Sequence, residues 1–200
     1  NASKVTEGDG SDALCDRIIS AAETNIAQLR NSLRQEELEE IAELIRRAPD
    51  VYLVGSATLF CLASVMKITG NMILPNLRLV GAEHSVAAEA MGNLTEDDVV
   101  IGIGLNPQAK RTIEAMQFAR TRGAHLVVIT DRPSAPIAEA AEFVLYGETS
   151  SPHFYPSLTP IMVIIETLLA TVVASGDGEE LRRIQDFEAI RKENDRYIEY

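Results

Sequence analysis

Two short runs of β-branched residues that end in glycine constrain this chain more than any other feature. Val51-Tyr52-Leu53-Val54-Gly55-Ser56-Ala57-Thr58 and Val99-Val100-Ile101-Gly102-Ile103-Gly104-Leu105-Asn106-Pro107 each stop at glycine and small polar residues, then pass into a helical pattern. Near-continuous apolar runs of this kind are strands covered on both faces, which is the condition of a parallel sheet. Turns after such strands lie at the carboxyl edge of the sheet, where backbone N–H groups and a helix N-terminus converge on a bound anion. A ligand site is therefore expected at Gly55, Ser56, Ala57 and Thr58 in the first turn and at Gly104, Asn106 and Gln108 in the second.

The rest of the chain keeps the same rhythm. Ser11 to Leu33 carries Leu14, Ile18, Ala22, Ile26 and Leu29 at three- and four-residue steps, and Gln35 to Arg47 repeats the pattern with Leu38, Ile41, Ala42 and Ile45. Both predict helices with one apolar face. A third helix is expected from Thr58 to Ile73, a strand from Leu77 to Val80, a helix from Gln108 to Arg122, and strands at Leu126 to Ile129 and Phe143 to Leu145. Ala135 to Ala141 reads as a short helix, and Gly147 to Thr159 as a loop rich in Ser, Thr and Pro. Thr159-Pro160 then opens the run Ile161 to Ala174, with the hydroxyl expected as a cap and proline at the first helical position. That run reads as a buried helix, and Glu179 to Tyr200 as a last charged one with a stripe of Leu181, Ile184, Phe187, Ile190 and Ile198. The sum is an α/β three-layer sandwich, a doubly wound, flavodoxin-like arrangement of five parallel strands flanked by helices.

At 200 residues and 46% hydrophobic, the chain has enough core for one domain, expected over residues 11–200 with the first helices as an N-terminal extension. Residues 1–10, which begin Asn1-Ala2 without an initiator methionine, read as a tag remnant and disordered start; if the chain is a trimmed piece, an upstream domain has been removed with the rest. A formal charge of −12 repels phosphate backbones and anionic lipid, so DNA contact is expected only through a domain absent from this chain, and membrane contact not at all. Cys15 and Cys61 have no metal-type spacing and read as reduced core thiols, which favours the cytoplasm. His84, His125 and His153 show no ligand spacing, so no metal is expected, and no cofactor is implied.

Several stretches together resemble a known family: Leu44 to Val54, Leu94 to Ala115, Arg122 to Asp131, and Ser134-Ala135-Pro136-Ile137-Ala138-Glu139-Ala140-Ala141. They are similar to a sugar isomerase (SIS) domain of the kind found as the effector domain of RpiR/MurR-type transcriptional regulators. The Thr-Asp turn followed by Ser-x-Pro-Ile-Ala is the most specific part. The resemblance implies a five-stranded parallel sheet, dimerisation through helices, and recognition of a phosphorylated sugar that tunes DNA binding by an N-terminal helix-turn-helix domain.

The phosphate-holding turns depart from that family's pattern. Where it reads G-x-G-x-S, this chain has Gly55, Ser56, Ala57, Thr58 and Leu59; where it reads S-x-S-G-x-T, this chain has Gly104, Leu105, Asn106, Pro107, Gln108 and Ala109. A hydrogen bond to a charged group contributes roughly 1.5–3 kcal/mol. Losing the hydroxyls at Leu59, Gly104 and Ala109 therefore weakens a phosphate by about 4–9 kcal/mol if additive, on the order of a thousandfold to a millionfold. Pro107 also removes an amide donor. Ser56, Thr58, Asn106 and Gln108 are the available replacements, with Lys110 and Arg111 as either an anion clamp or ordinary solvated helix residues.

Ser150 and His153, with Thr149, Ser151 and Tyr155, are candidates for a third wall of the site, while Pro152 and Pro156 equally fit a rigid surface connection; Glu83 and His84 read first as a solvated loop and second as part of the mouth. Glu166 reads as a buried carboxylate that pairs with an arginine or caps a backbone group across a helix interface, rather than as a base. The expected partners are a phosphosugar or sugar acid and a second copy, as a homodimer or dimer of dimers. A ligand-sensing regulatory domain is the first reading. A stand-alone sugar-phosphate isomerase is the second, and a vestigial domain that only dimerises is the third.

Overall fold

The computed structural model describes residues 10–81 and 87–193. Its helices are α1 (Gly10–Ser32), α2 (Gln35–Arg47), α3 (Thr58–Gly70), α4 (Ala87–Ala90), α5 (Lys110–Thr121), α6 (Thr159–Ala174) and α7 (Glu179–Glu193). Its strands are β1 (Val51–Gly55), β2 (Leu77–Leu79), β3 (Val99–Gly104), β4 (His125–Thr130) and β5 (Phe143–Tyr146), with a 3-10 turn at Pro136–Ala140 before the last. The five strands form one parallel sheet in the order β2-β1-β3-β4-β5, the flavodoxin-like doubly wound order expected from the sequence.

Alternation along the strands divides the core in two. Val51, Leu53, Val99, Ile101, Ile103, Val127 and Ile129 face a layer built from α1, α2, α3 and α6. Tyr52, Val54, Val100, Leu126 and Val128 face α5, the 3-10 turn and the segment around Met91 and Leu94. Both faces are dry, so the strands carry no polar alternation.

The amino ends of three strands are joined by ionic hydrogen bonds. Asp98, almost fully buried, accepts from the Asp50 amide at 2.9 Å, the Thr95 amide at 2.8 Å and the Thr95 hydroxyl at 2.9 Å. Asp50 in turn pairs with the Arg78 guanidinium at 2.8 Å. This ties the start of β3 to those of β1 and β2.

Several expectations are corrected. On α1 the inward residues are Asn25 and Leu29, while Ile18 and Ile26 are exposed, because the helix meets the body of the domain along one edge only. Helix α6 buries Ile161, Ile164, Ile165, Leu168 and Val172 but turns Glu166 outward, so that carboxylate is exposed and is not a buried ion-pair partner. Leu158, not Thr159, is the cap residue of α6, and it makes no side-chain capping bond; Pro160 lies in the first turn. Cys15 and Cys61 are both exposed free thiols, since each sits on the outward face of its helix. On α7, Ile184 packs inward while Leu181, Phe187 and Ile190 are exposed, and Ile198 lies outside the described residues. Glu83 and His84 also lie outside them. No single helix among the described residues is long and apolar enough to cross a membrane.

Asp98→Ala removes two acceptor oxygens, and with them three hydrogen bonds, from a buried site, and we expect a loss of roughly 3 kcal/mol, with Asp98→Asn recovering about half. Urea denaturation monitored by circular dichroism measures both.

Candidate ligand-binding site

The strand order places the two glycine-ended turns side by side. Gly55 of β1 is in register with Ile103 of β3, and Gly104 with Thr130 of β4, whose hydroxyl donates to the Gly104 carbonyl at 2.7 Å. The chain reverses direction across the sheet between β1 and β3, the place where open α/β sheets leave a crevice.

At the first turn the backbone closes tightly. A Cβ on Gly55 would sit 2.7 Å from the Leu59 carbonyl oxygen, so only glycine fits there. Two amides at the start of α3 are engaged within the turn, Leu59 on the Ser56 carbonyl and Phe60 on the Ala57 carbonyl, each at 3.1 Å. The Ser56 hydroxyl lies 2.9 Å from that of Thr112, a buried residue of α5, and so ties the first turn to that helix. Ala57 has φ +52° and ψ −125°, a conformation that a Cβ disfavours. Thr58 is exposed at the first residue of α3.

The second turn is closed in the same way. Gly104 is buried, and a Cβ there would press to 2.9 Å from the Ile137 side chain. The Gln108 Oε1 accepts the Ile137 amide at 3.0 Å, while its buried Nε2 has no protein partner. Lys110 and Arg111 are exposed on the first turn of α5.

The open space lies one strand further along. A cleft of about 480 Å³ is lined by Asn106 from the second turn, Asp131 and Arg132 from the tip of β4, and the loop after β5 with Glu148, Thr149, Ser150, Ser151, His153, Phe154 and Tyr155. Of the residues expected at the site, Asn106, Ser150 and His153 come together here; Gly55, Ser56, Ala57, Thr58, Gly104, Gln108, Lys110 and Arg111 do not line this cleft. The sequence reading does not single out Asp131 and Arg132 as site residues, although they directly follow β4 and so form a third strand tip.

Two carboxylates and one guanidinium give the cleft a mixed charge, with the His153 imidazole beside them. Asp131 is 8% exposed and pairs at 3.4 Å with Arg132, whose side chain is 59% exposed, so most of that guanidinium faces solvent. Carboxylates accept from sugar hydroxyls, and a guanidinium can grip an anion with two parallel hydrogen bonds. The loop itself is closed by Ser157 N–H to the Thr149 carbonyl at 2.9 Å, His153 N–H to the Ser151 hydroxyl at 3.1 Å and Tyr155 N–H to His153 Nδ1 at 3.1 Å.

Residues 44–174, which include the whole sheet and both turns, match the sequence profile of the SIS domain. The chain belongs to the SIS domain family. The fold of this SIS domain is similar to the sugar isomerase domain of an RpiR transcription factor from Sphaerobacter thermophilus, with a TM-score of 0.81, 22% identity, and 88% of this chain and 98% of that one covered. It is also similar to the Vibrio vulnificus NanR protein complexed with ManNAc-6P, at a TM-score of 0.81 and 14% identity over 98% of this chain and 74% of that one. A relative in sequence is an uncharacterised HTH-type transcriptional regulator of Haemophilus influenzae, 24% identical over 142 residues, which are 71% of this chain and 49% of that protein. The chain spans half or less of the length of the curated relatives it matches. Proteins described as phosphosugar isomerases share the fold as well.

In this SIS domain the first turn carries Ala57 at a conformation suited to glycine. Ala57→Gly relieves that strain, which exceeds glycine's greater unfolded-state entropy, and we expect a gain of about 1 kcal/mol. A higher urea midpoint with an unchanged slope is the result to look for.

Proposed function

We propose that this SIS domain is the ligand-sensing and dimerising domain of a transcriptional regulator. In this reading it takes a phosphorylated sugar or related small anion in the cleft between Asn106, Arg132 and the loop after β5, and ligand binding adjusts DNA binding by a helix-turn-helix domain outside this chain. The observation that carries the reading is the cleft itself: mixed hydroxyl, amide and carboxylate groups beside a largely exposed guanidinium, at the carboxyl edge of a parallel sheet. The sugar's hydroxyls meet Asp131, Glu148 and Asn106, and its anion meets Arg132, with Lys110 and Arg111 adding positive charge on the neighbouring helix. Resemblance in fold to the RpiR domain and to NanR, and in sequence to an HTH-type regulator, supports the sensor reading.

Dimerisation is supported by the exposed apolar residues Ile18, Ile19 and Ile26 on α1 and Leu181, Phe187 and Ile190 on α7. Light scattering at micromolar concentration should give twice the chain mass of 21.8 kDa, and a monomer mass would remove this part of the reading.

An isomerase reading has one observation in its favour: Glu148 and His153 face the same cleft and supply a base near a bound sugar. Incorporation of solvent deuterium into a sugar phosphate would establish it.

The sensor reading is tested by thermal unfolding with a panel of sugar phosphates that includes ManNAc-6P. A ligand at a hundred times its Kd stabilises the fold by about 2.7 kcal/mol. We expect such a shift for at least one member, and a loss of tenfold or more in affinity for Arg132→Ala. Silence across the panel favours a vestigial cleft.

A further inference from the structure

The loop that forms the outer wall of the cleft is thin. Ser150 and Ser151 line the cleft on one side and, on the other, a second groove of about 520 Å³ against α1, where Arg17, Ser20, Thr24 and Asn25 face them. A segment with open volume on both sides is held by few packing contacts, so its hydrogen bonds set its position. The bonds from Ser157 to Thr149, from His153 to Ser151 and from Tyr155 to His153 all stay within the loop. Between its base, where the Gly147 amide donates to the Thr130 carbonyl of β4 at 3.1 Å, and the start of α6, its bond to another element among the described residues comes from α1, where Asn25 Nδ2 donates to the Ser150 carbonyl at 2.8 Å.

Asn25 is an unusual residue for that role if packing were the only need. It is 3% exposed, and it sits one turn before buried Leu29 on the face of α1 that meets the domain, where an apolar side chain would pack at no desolvation cost. A buried amide persists because its partner requires it. Leu29 meanwhile anchors the base of the same loop, since a Cβ on Gly147 would fall 2.7 Å from its Cδ2. One face of α1 therefore holds the loop at its base by packing and near its tip by a hydrogen bond.

Resting on the reading of the cleft as a ligand site, we propose that Asn25 is a positioning residue that couples the conformation of the cleft loop to α1, so that filling the cleft is felt along the N-terminal helix. Any ligand contact that moves Ser150 or Ser151 changes the carbonyl on which Asn25 depends. By reciprocity, a displacement of α1 alters the cleft wall by the same free energy.

The test uses no sugar, so its failure is separate from failure of the sensor reading. Hydrogen–deuterium exchange is followed on the chain, on His153→Ala, on Asn25→Leu and Asn25→Asp, and on the double variants. His153→Ala loosens the loop on its cleft side, at a residue that does not line the groove against α1. We expect it to raise exchange of amides 21–29 about fivefold, the equivalent of one hydrogen bond. With either Asn25 substitution already present, exchange there should be raised to a similar degree and His153→Ala should add less than twofold. The proposal is overturned if His153→Ala leaves amides 21–29 unchanged, or if its effect adds in full on top of the Asn25 variants. Asn25→Asp keeps the shape of the side chain and removes the donor, so it serves if the leucine variant does not fold. If neither folds, an unmoved α1 in His153→Ala overturns the proposal and a fivefold response upholds it.

Discussion

Dry packing on both faces of the β1–β3 pair is the constraint on which the rest of this molecule depends. Those two strands lie at the centre of the sheet, and their alternating side chains reach both cores. The other strands extend the sheet from this pair, and α1, α2, α3, α5 and α6 are placed by covering one of its faces. The carboxyl tips of the strands are thereby held in a row, which is why a site can be assembled there from residues more than forty positions apart. The same rigidity explains why the turns leave little room, since each carries a glycine at which a Cβ would meet Leu59 or Ile137 at under 3 Å.

The consequence for recognition is a shift of the accessible site along the sheet. Groups that could have met a phosphate at the first two tips are engaged internally, Ser56 with Thr112 and the amides of Leu59 and Phe60 within their own turn, while Gln108 is held by its oxygen on the Ile137 amide with its Nε2 buried. The open cleft lies instead beside β4 and β5, and its wall is a loop tied to α1. Ligand chemistry and the N-terminal helix thus meet in one segment.

Much of this was legible in the chain. The number of strands, their parallel sense, the breaks at glycine and proline, and the membership of Asn106, Ser150 and His153 in one region all follow from pattern and turn chemistry. Asp131 and Arg132 follow a strand that the apolar pattern predicts, and a third strand tip is a readable signal. Asn25 was not readable, because a helical stripe that includes Ile18, Ile26 and Leu29 points to a different inward face from the one that packs. Glu166 failed similarly: a run of apolar residues says that a helix has a buried side, not how much of its circumference is covered.

The sequence by itself determined the class of fold and the strand tips as the place for a site, because both depend on local periodicity and on where glycine allows the backbone to turn. Tertiary structure decided which of those tips remained open, which hydroxyls and amides were still free to meet a ligand, and which helix grips the cleft wall. Those outcomes rest on contacts between residues as far apart as Asn25 and Ser150, and no local pattern encodes such a distance.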